Sequence, residues 1–120
     1  MAPEADRVRR VASVIGLNEE RAEEYKQLHA AVWPDVLRRI AQSHIRNYSI
    51  HLRRLDDGRL YLFSYYEYVG DDYDADMAAM AADPTTQRWW DVCMPCQKPL
   101  EARESGEWWA DMEEVFYFAG

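Results

Sequence analysis

Tyr25, His29 and Trp33 stand four residues apart in the run Tyr25-Lys26-Gln27-Leu28-His29-Ala30-Ala31-Val32-Trp33-Pro34. On a helix, positions four apart stack on one face, so the three rings would form a single line. An imidazole between two amphipathic aromatic rings suits proton transfer to a neutral, hydroxyl-rich substrate. Histidine is the side chain whose ordinary pKa lies near neutrality, so it can both give and take a proton. The same stripe also reads as core packing around one satisfied histidine.

A second aromatic feature is Trp89-Trp90. Neighbours on a helix point about 100° apart, so the two rings cannot share the centre of one narrow core stripe. One is expected to pack with Cys93 and the other to line a cleft or interface, where an indole face suits the C–H surface of a sugar. Trp108-Trp109, beside the end of the chain, is expected to cover a sheet edge or a partner. His44 lies in a connection without patterned neighbours, and His51 shares a strand face with Ser49 and Arg53, which reads as solvated. The glycines are scattered singly, with no phosphate-cradling loop, no G-x-S-x-G and no H-E-x-x-H. Cofactor-free acid–base chemistry, or binding alone, is what this leaves.

The elements that must position these groups follow from periodicity. Val8 to Gly16 reads as a strand rich in β-branched residues. Asn18 then looks like a helix N-cap ahead of Glu19 and Glu20. Apolar residues at Ala22, Tyr25, Leu28, Val32, Val36 and Ile40 predict one helix, with Pro34 kinking it just after His29. A strand over 47–54 carries Tyr48, Ile50 and Leu52 on one face, and Asp56-Asp57-Gly58 turns into another over 60–68. That strand is apolar or aromatic on both faces, so it needs cover on both sides. One helical layer supplies only one, which predicts a second subunit or a curled sheet. Helices are expected over 71–83 and from Asp83-Pro84 onward. Asp72, Asp74 and Asp76 mimic the start of a calcium loop, but Met77 stands where glycine is needed, so they read as acids at a helix N-terminus. A loop with Pro99 and Gly106 leads to a final strand over 112–118. The order βαββαβ, with its second helical unit split, is the ferredoxin-like α+β pattern.

The 120 residues suit one domain over 1–120, with 1–7 flexible. A net charge of −8 argues against nucleic acid as a partner. No apolar run approaches a bilayer's thickness and the N-terminus leads into a strand, so no membrane partner and a cytoplasmic location are expected. The pair Cys93-Met94-Pro95-Cys96 follows a helix instead of opening one, which reads as reduced structural thiols without metal.

The chain also resembles the L-rhamnose mutarotases. The matching features are Glu24-Tyr25 through His29 to Trp33-Pro34, Asn47-Tyr48, Gln87-Arg88-Trp89-Trp90 and Glu113-Glu114-Val115-Phe116, in that order. The resemblance implies a dimeric ferredoxin-like α/β fold and interconversion of sugar anomers without a cofactor. It implies that His29 is the proton donor and that Tyr25, Tyr48, Trp89 and Trp90 contact the monosaccharide. The chain departs from the family in Ala30-Ala31 after the histidine, where members often carry Asn-Pro, and in longer segments over 71–76 and 99–109. The preferred sugar is therefore open between L-rhamnose and another 6-deoxy hexose such as L-fucose. Two other readings stand beside this one: a cofactor-free or haem-handling oxygenase on the same scaffold, and a non-catalytic sugar-binding module.

Overall fold

The structure is a computed structural model that describes residues 8–120; the expectation of a flexible 1–7 falls outside them. An antiparallel sheet runs in the order β2-β3-β1-β4, with β5 also pairing β1. Its strands are β1 (Arg9–Leu17), β2 (Ile45–Arg54), β3 (Leu60–Tyr68), β4 (Gln97–Lys98) and β5 (Ala110–Met112). The central pairing runs unbroken from Arg9 opposite Tyr68 to Leu17 opposite Leu60. Strand alternation then gives the sheet two distinct faces.

The inner face carries Ile15, Leu17 and Leu62, all buried, against Tyr25, Val36, Trp89 and Cys93 from the helices. Its two opposed serines, Ser13 and Ser64, satisfy one another at 2.7 Å. The outer face carries Val14 of β1 opposite Phe63, and Ala12 opposite Tyr65. The helices α1 (Ala22–Ala30), α2 (Pro34–Gln42), α3 (Tyr73–Ala82) and α4 (Pro84–Cys93) all lie on the inner side. The ferredoxin-like α+β class expected from the element order is thus observed, down to the split second helical unit.

Four local expectations need correction. The single kinked helix is two helices, because Pro34 lacks a donor and holds Trp33 before it in an extended conformation (φ −58°, ψ 133°). Pro34 opens α2 instead of bending α1. Asn18 makes no side-chain cap; its Nδ2 donates to the Pro95 carbonyl at 3.1 Å, tying the start of the helical layer to the end of α4. β2 begins two residues earlier than expected, at Ile45. The final strand spans only Ala110–Met112, and residues 113–118 are not part of the sheet.

The missing strand edge is completed in two pieces. β4 pairs β1 at Gly16 and Leu17, and β5 pairs it at Ala12 to Val14, with the 99–109 segment between them. Gly16 permits this closure: a Cβ there would stand 2.6 Å from the Lys98 carbonyl oxygen.

Candidate active site

His29 sits in the last turn of α1, half-buried, and its ring stacks on Tyr25 one turn earlier with centroids 4.1 Å apart. The Nδ1–H donates to the Tyr25 carbonyl at 2.9 Å. That bond spends one ring nitrogen on the backbone and leaves Nε2, with its lone pair, for anything in the cleft. Burial holds the His29 pKa below the ordinary imidazole value, against the opposing pull of the Tyr25 carbonyl. The neutral base is therefore the resting form near neutrality.

The break at Pro34 makes this arrangement possible. Trp33 no longer follows His29 along one helix; it turns back so that its ring meets Trp89 edge-on at 5.1 Å. Trp89 in turn meets His29 edge-on at 5.2 Å. His29 is thus packed by Tyr25 on one side and by the Trp89–Trp33 pair on the other. The tryptophans divide as expected: Trp89 is 7% exposed and packs with Cys93, whereas Trp90 is 39% exposed. Asp83 caps α4 through the Thr86 amide at 2.9 Å and so fixes the helix that carries both indoles.

Tyr48 arrives from the opposite wall through a β-bulge. Between the pairs Arg46–Glu67 and Ser49–Tyr65, β2 contains two residues, Asn47 and Tyr48, against the single Tyr66 of β3. The extra residue switches the alternation, so that Ile45 and Ile50 both face the helices and Tyr48 joins them. Asn47 takes the left-handed conformation that this needs (φ 51°), and its amide donates to Glu67 at 2.9 Å. The Tyr48 ring rests against Tyr66 at 5.4 Å. Burial around its hydroxyl, with a smaller contribution from Cys93, pushes the Tyr48 pKa up to about 12, so it stays a donor.

These walls enclose an open cleft of about 380 Å³. His29, Tyr48 and Thr86 are among its polar lining residues, and Trp90 and Met80 lie among its apolar ones. Of the residues predicted from sequence, His29, Tyr48, Trp89 and Trp90 converge here. Tyr25 lies behind His29 and is 4% exposed. Its hydroxyl accepts from Gln97 Nε2 at 3.3 Å, and Gln97 Oε1 accepts from Trp108 Nε1 at 2.7 Å. The other histidines stand apart: His44 bonds Asp76 at 3.0 Å and His51 bonds Ser49 at 3.0 Å. Asp72 caps α3 through the Ala75 amide, in keeping with its reading as a helix-terminal acid. Gln97, Met80 and Thr86 carry no signal in the sequence, because each joins the site through a contact far along the chain.

A protein-family model described as L-rhamnose mutarotase matches residues 10–118. The chain belongs to the L-rhamnose mutarotase family. The L-rhamnose mutarotase of Bacillus subtilis strain 168 is 31% identical, covering 92% of this chain and 98% of that protein. That of Listeria monocytogenes serotype 4b is 34% identical with the same coverage. Among solved structures, L-rhamnose mutarotase from Formosa agariphila superposes with a TM-score of 0.66 at 23% identity, over 92% of this chain and 98% of that one. The tetracenomycin F2 cyclase of Streptomyces glaucescens, a type-II polyketide cyclase, superposes with a TM-score of 0.63 at 15% identity over 93% and 98%. At such identities the superpositions speak for the fold alone, so it is the sequence match to the L-rhamnose mutarotases that separates this family from others on the same scaffold.

Among the described residues no helix is long and apolar enough to cross a membrane.

Proposed function

We propose that this chain is an isomerase that interconverts the α and β anomers of L-rhamnose, or of a related 6-deoxy hexose, by opening and reclosing the pyranose ring. Family membership and one local observation carry the reading. His29 has its Nδ1–H committed to the Tyr25 carbonyl, which leaves a neutral Nε2 in a cleft that also holds a tyrosine hydroxyl and an exposed indole.

In the opening step the anomeric hydroxyl loses its proton to His29 Nε2. The bond from C1 to the ring oxygen breaks, and that oxygen takes a proton from a hydroxyl or water in the cleft. The aldehyde rotates about C1–C2. In the closing step the freed sugar hydroxyl adds to the other face of the carbonyl and returns its proton to the hydroxyl or water that supplied it, while the His29 imidazolium gives its proton back to the carbonyl oxygen. His29 is thus the proton donor of ring closure, and its low pKa makes the imidazolium a stronger acid than usual. No covalent intermediate is formed, and no cofactor is needed for the proton balance. General acid–base help of this kind is worth about 10²–10⁴-fold.

Tyr48, Trp89 and Trp90 contact the sugar, with Tyr48 holding a hydroxyl and the exposed indole of Trp90 covering a C–H face or the C6 methyl. A direct contact between Tyr25 and the sugar is proposed as well, although Tyr25 lies behind His29 and supports its ring; Tyr25→Phe separates a hydroxyl contact from that support. The working unit is a homodimer paired through the outer sheet face, where Val14, Tyr61, Phe63 and Tyr65 have no helix over them. A cytoplasmic setting accords with the unbridged Cys93 and Cys96.

Saturation transfer between the anomeric proton signals of L-rhamnose tests the activity. The parent protein should speed exchange, and His29→Ala should slow it by at least about ten- to a hundredfold with the fold intact. Saturable sugar binding with no change in exchange would instead make the chain a binding module. Normal exchange in folded His29→Ala would remove His29 from the mechanism.

A further inference from the structure

Trp108, Gln97, Tyr25 and His29 form a series in which each partner fixes the next. The Trp108 Nε1–H can only donate, so the Gln97 Oε1 faces it, at 2.7 Å. That turns Gln97 Nε2 toward Tyr25, whose hydroxyl oxygen accepts at 3.3 Å. A side-chain amide free to flip between two orientations is thereby held in one. Tyr25 in turn stacks on His29 with ring centroids 4.1 Å apart, and its carbonyl accepts from the His29 Nδ1–H at 2.9 Å. Trp108, which is 36% exposed, is joined in this way to the imidazole of the cleft.

The consequence falls on one proton. Because the Tyr25 oxygen accepts from Gln97, its own O–H points elsewhere, and it has no acceptor among the described residues. Burial holds the Tyr25 pKa well above the ordinary phenol value, against the pull of the Gln97 amide, so the hydroxyl keeps that proton. Tyr25 is 4% exposed. A buried hydroxyl hydrogen without a partner is costly, which calls for an acceptor from outside the chain. His29 Nδ1 faces back to the α1 backbone, so Nε2 faces away from it. The Tyr25 hydroxyl stands at the end of its ring farthest from that backbone. The phenol O–H and Nε2 therefore share the outer edge of one stack. A pyranose, with oxygens on adjoining carbons, has one to offer each.

We propose that Gln97 is a positioning residue: held by Trp108, it turns the Tyr25 hydroxyl so that its proton is given to an oxygen of the bound sugar beside His29. Gln97 touches neither the sugar nor the reacting atoms. It acts through Tyr25, and Trp108 acts through Gln97. The role rests on the anomer exchange proposed above and names the residues that aim one of its contacts.

A double-mutant cycle on the full chain tests it. Exchange of the L-rhamnose anomers is measured by saturation transfer over a range of sugar concentrations, and each variant is checked for fold by circular dichroism. Gln97→Met keeps the length of the side chain and loses its amide. It should lower kcat/KM by roughly fivefold or more in the parent, the scale of one misdirected buried hydrogen bond. In Tyr25→Phe, which has no hydroxyl proton to aim, the same change should cost less than about twofold. A side chain that merely supported the fold would bring equal losses in both backgrounds, and that result overturns the proposal. So does a Tyr25→Phe variant that exchanges at the parent rate. Gln97→Glu keeps an acceptor for Trp108 but draws the Tyr25 proton back to itself, so it should lose as much as Tyr25→Phe; parental exchange would overturn the role. If Gln97→Met does not fold, Trp108→Phe gives the same comparison: a loss that disappears in Tyr25→Phe supports the series, and an equal loss overturns it. A parent that does not speed exchange at all overturns the mutarotase reading and this role with it. A parent that does, beside unaffected Gln97 variants, overturns the role of Gln97 alone.

Discussion

At the scale of single residues, the chemistry depends on which His29 nitrogen is free. The Tyr25 carbonyl accepts a hydrogen bond from Nδ1–H and burial keeps the ring neutral, so in the proposed mechanism Nε2 is the base. Because the active form is the neutral one and its pKa lies below the usual value near 6.5, anomer exchange should hold steady as pH falls through that value and decline only at lower pH. A rate–pH profile by saturation transfer checks this; loss of activity centred at or above 6.5 would mean another group or an unshifted imidazole. The two tryptophans should separate binding from folding. Trp90→Leu, at an exposed wall of the cleft, should weaken L-rhamnose binding by about 1–3 kcal/mol with little loss of stability. Trp89→Leu should cost stability first, since that ring is part of the core. Fluorescence titration with L-rhamnose, L-fucose and D-glucose, run beside thermal unfolding, distinguishes the two and ranks the sugars.

At the scale of elements, the site is assembled by two irregularities: the break at Pro34 and the bulge at Asn47. The break turns Trp33 back onto Trp89, and the bulge brings Tyr48 to the cleft. Asn47→Ile places a β-branched residue at a positive φ, which costs roughly 1–2 kcal/mol, and also removes the amide contact to Glu67. The urea midpoint should fall accordingly. Exchange should fall further than stability explains, because Tyr48 loses its aim. A variant that unfolds earlier yet exchanges sugar at the parent rate under native conditions would show that Tyr48 is not held by the bulge.

At the scale of the whole molecule, the helices among the described residues all lie on one side of the sheet, and none of them covers the outer face with Phe63 and Tyr65. A chain of this length cannot build a second helical layer, so pairing is the economical way to cover that face. Light scattering should report a dimer at micromolar concentration, and Phe63→Glu should yield a folded monomer. A parent that is monomeric under those conditions would count against the pairing, and the half-exposed aromatic row would then need another partner.

Much of this was legible in the residues alone, and the reason is local. Four-residue spacing joins Tyr25 to His29 on α1; Asp83-Pro84 starts a helix wherever it stands; and alternation with a turn signal yields β2 and β3 together with the ferredoxin-like order. The rest depended on contacts between distant segments. Periodicity alone runs one helix through Pro34, because the apolar spacing on either side happens to stay in phase; Pro34 breaks it, and the packing of Trp33 on Trp89 sets where the chain then turns. Alternation continued the last strand to Phe118, yet a period of two describes an exposed extended segment as well as a paired one. Residues 113–118 stay out of the sheet, tethered beside β1 by the Arg10–Glu114 pair. The support of Tyr25 by Gln97, and of Gln97 by Trp108, is likewise tertiary. The sequence thus specified the candidate side chains and most of the helices and strands that bear them. The tertiary structure chose which nitrogen of His29 is free, which indole of the cleft is buried and which exposed, and how Tyr48 reaches it, because each is set by what packs against the ring and not by its neighbours in the chain.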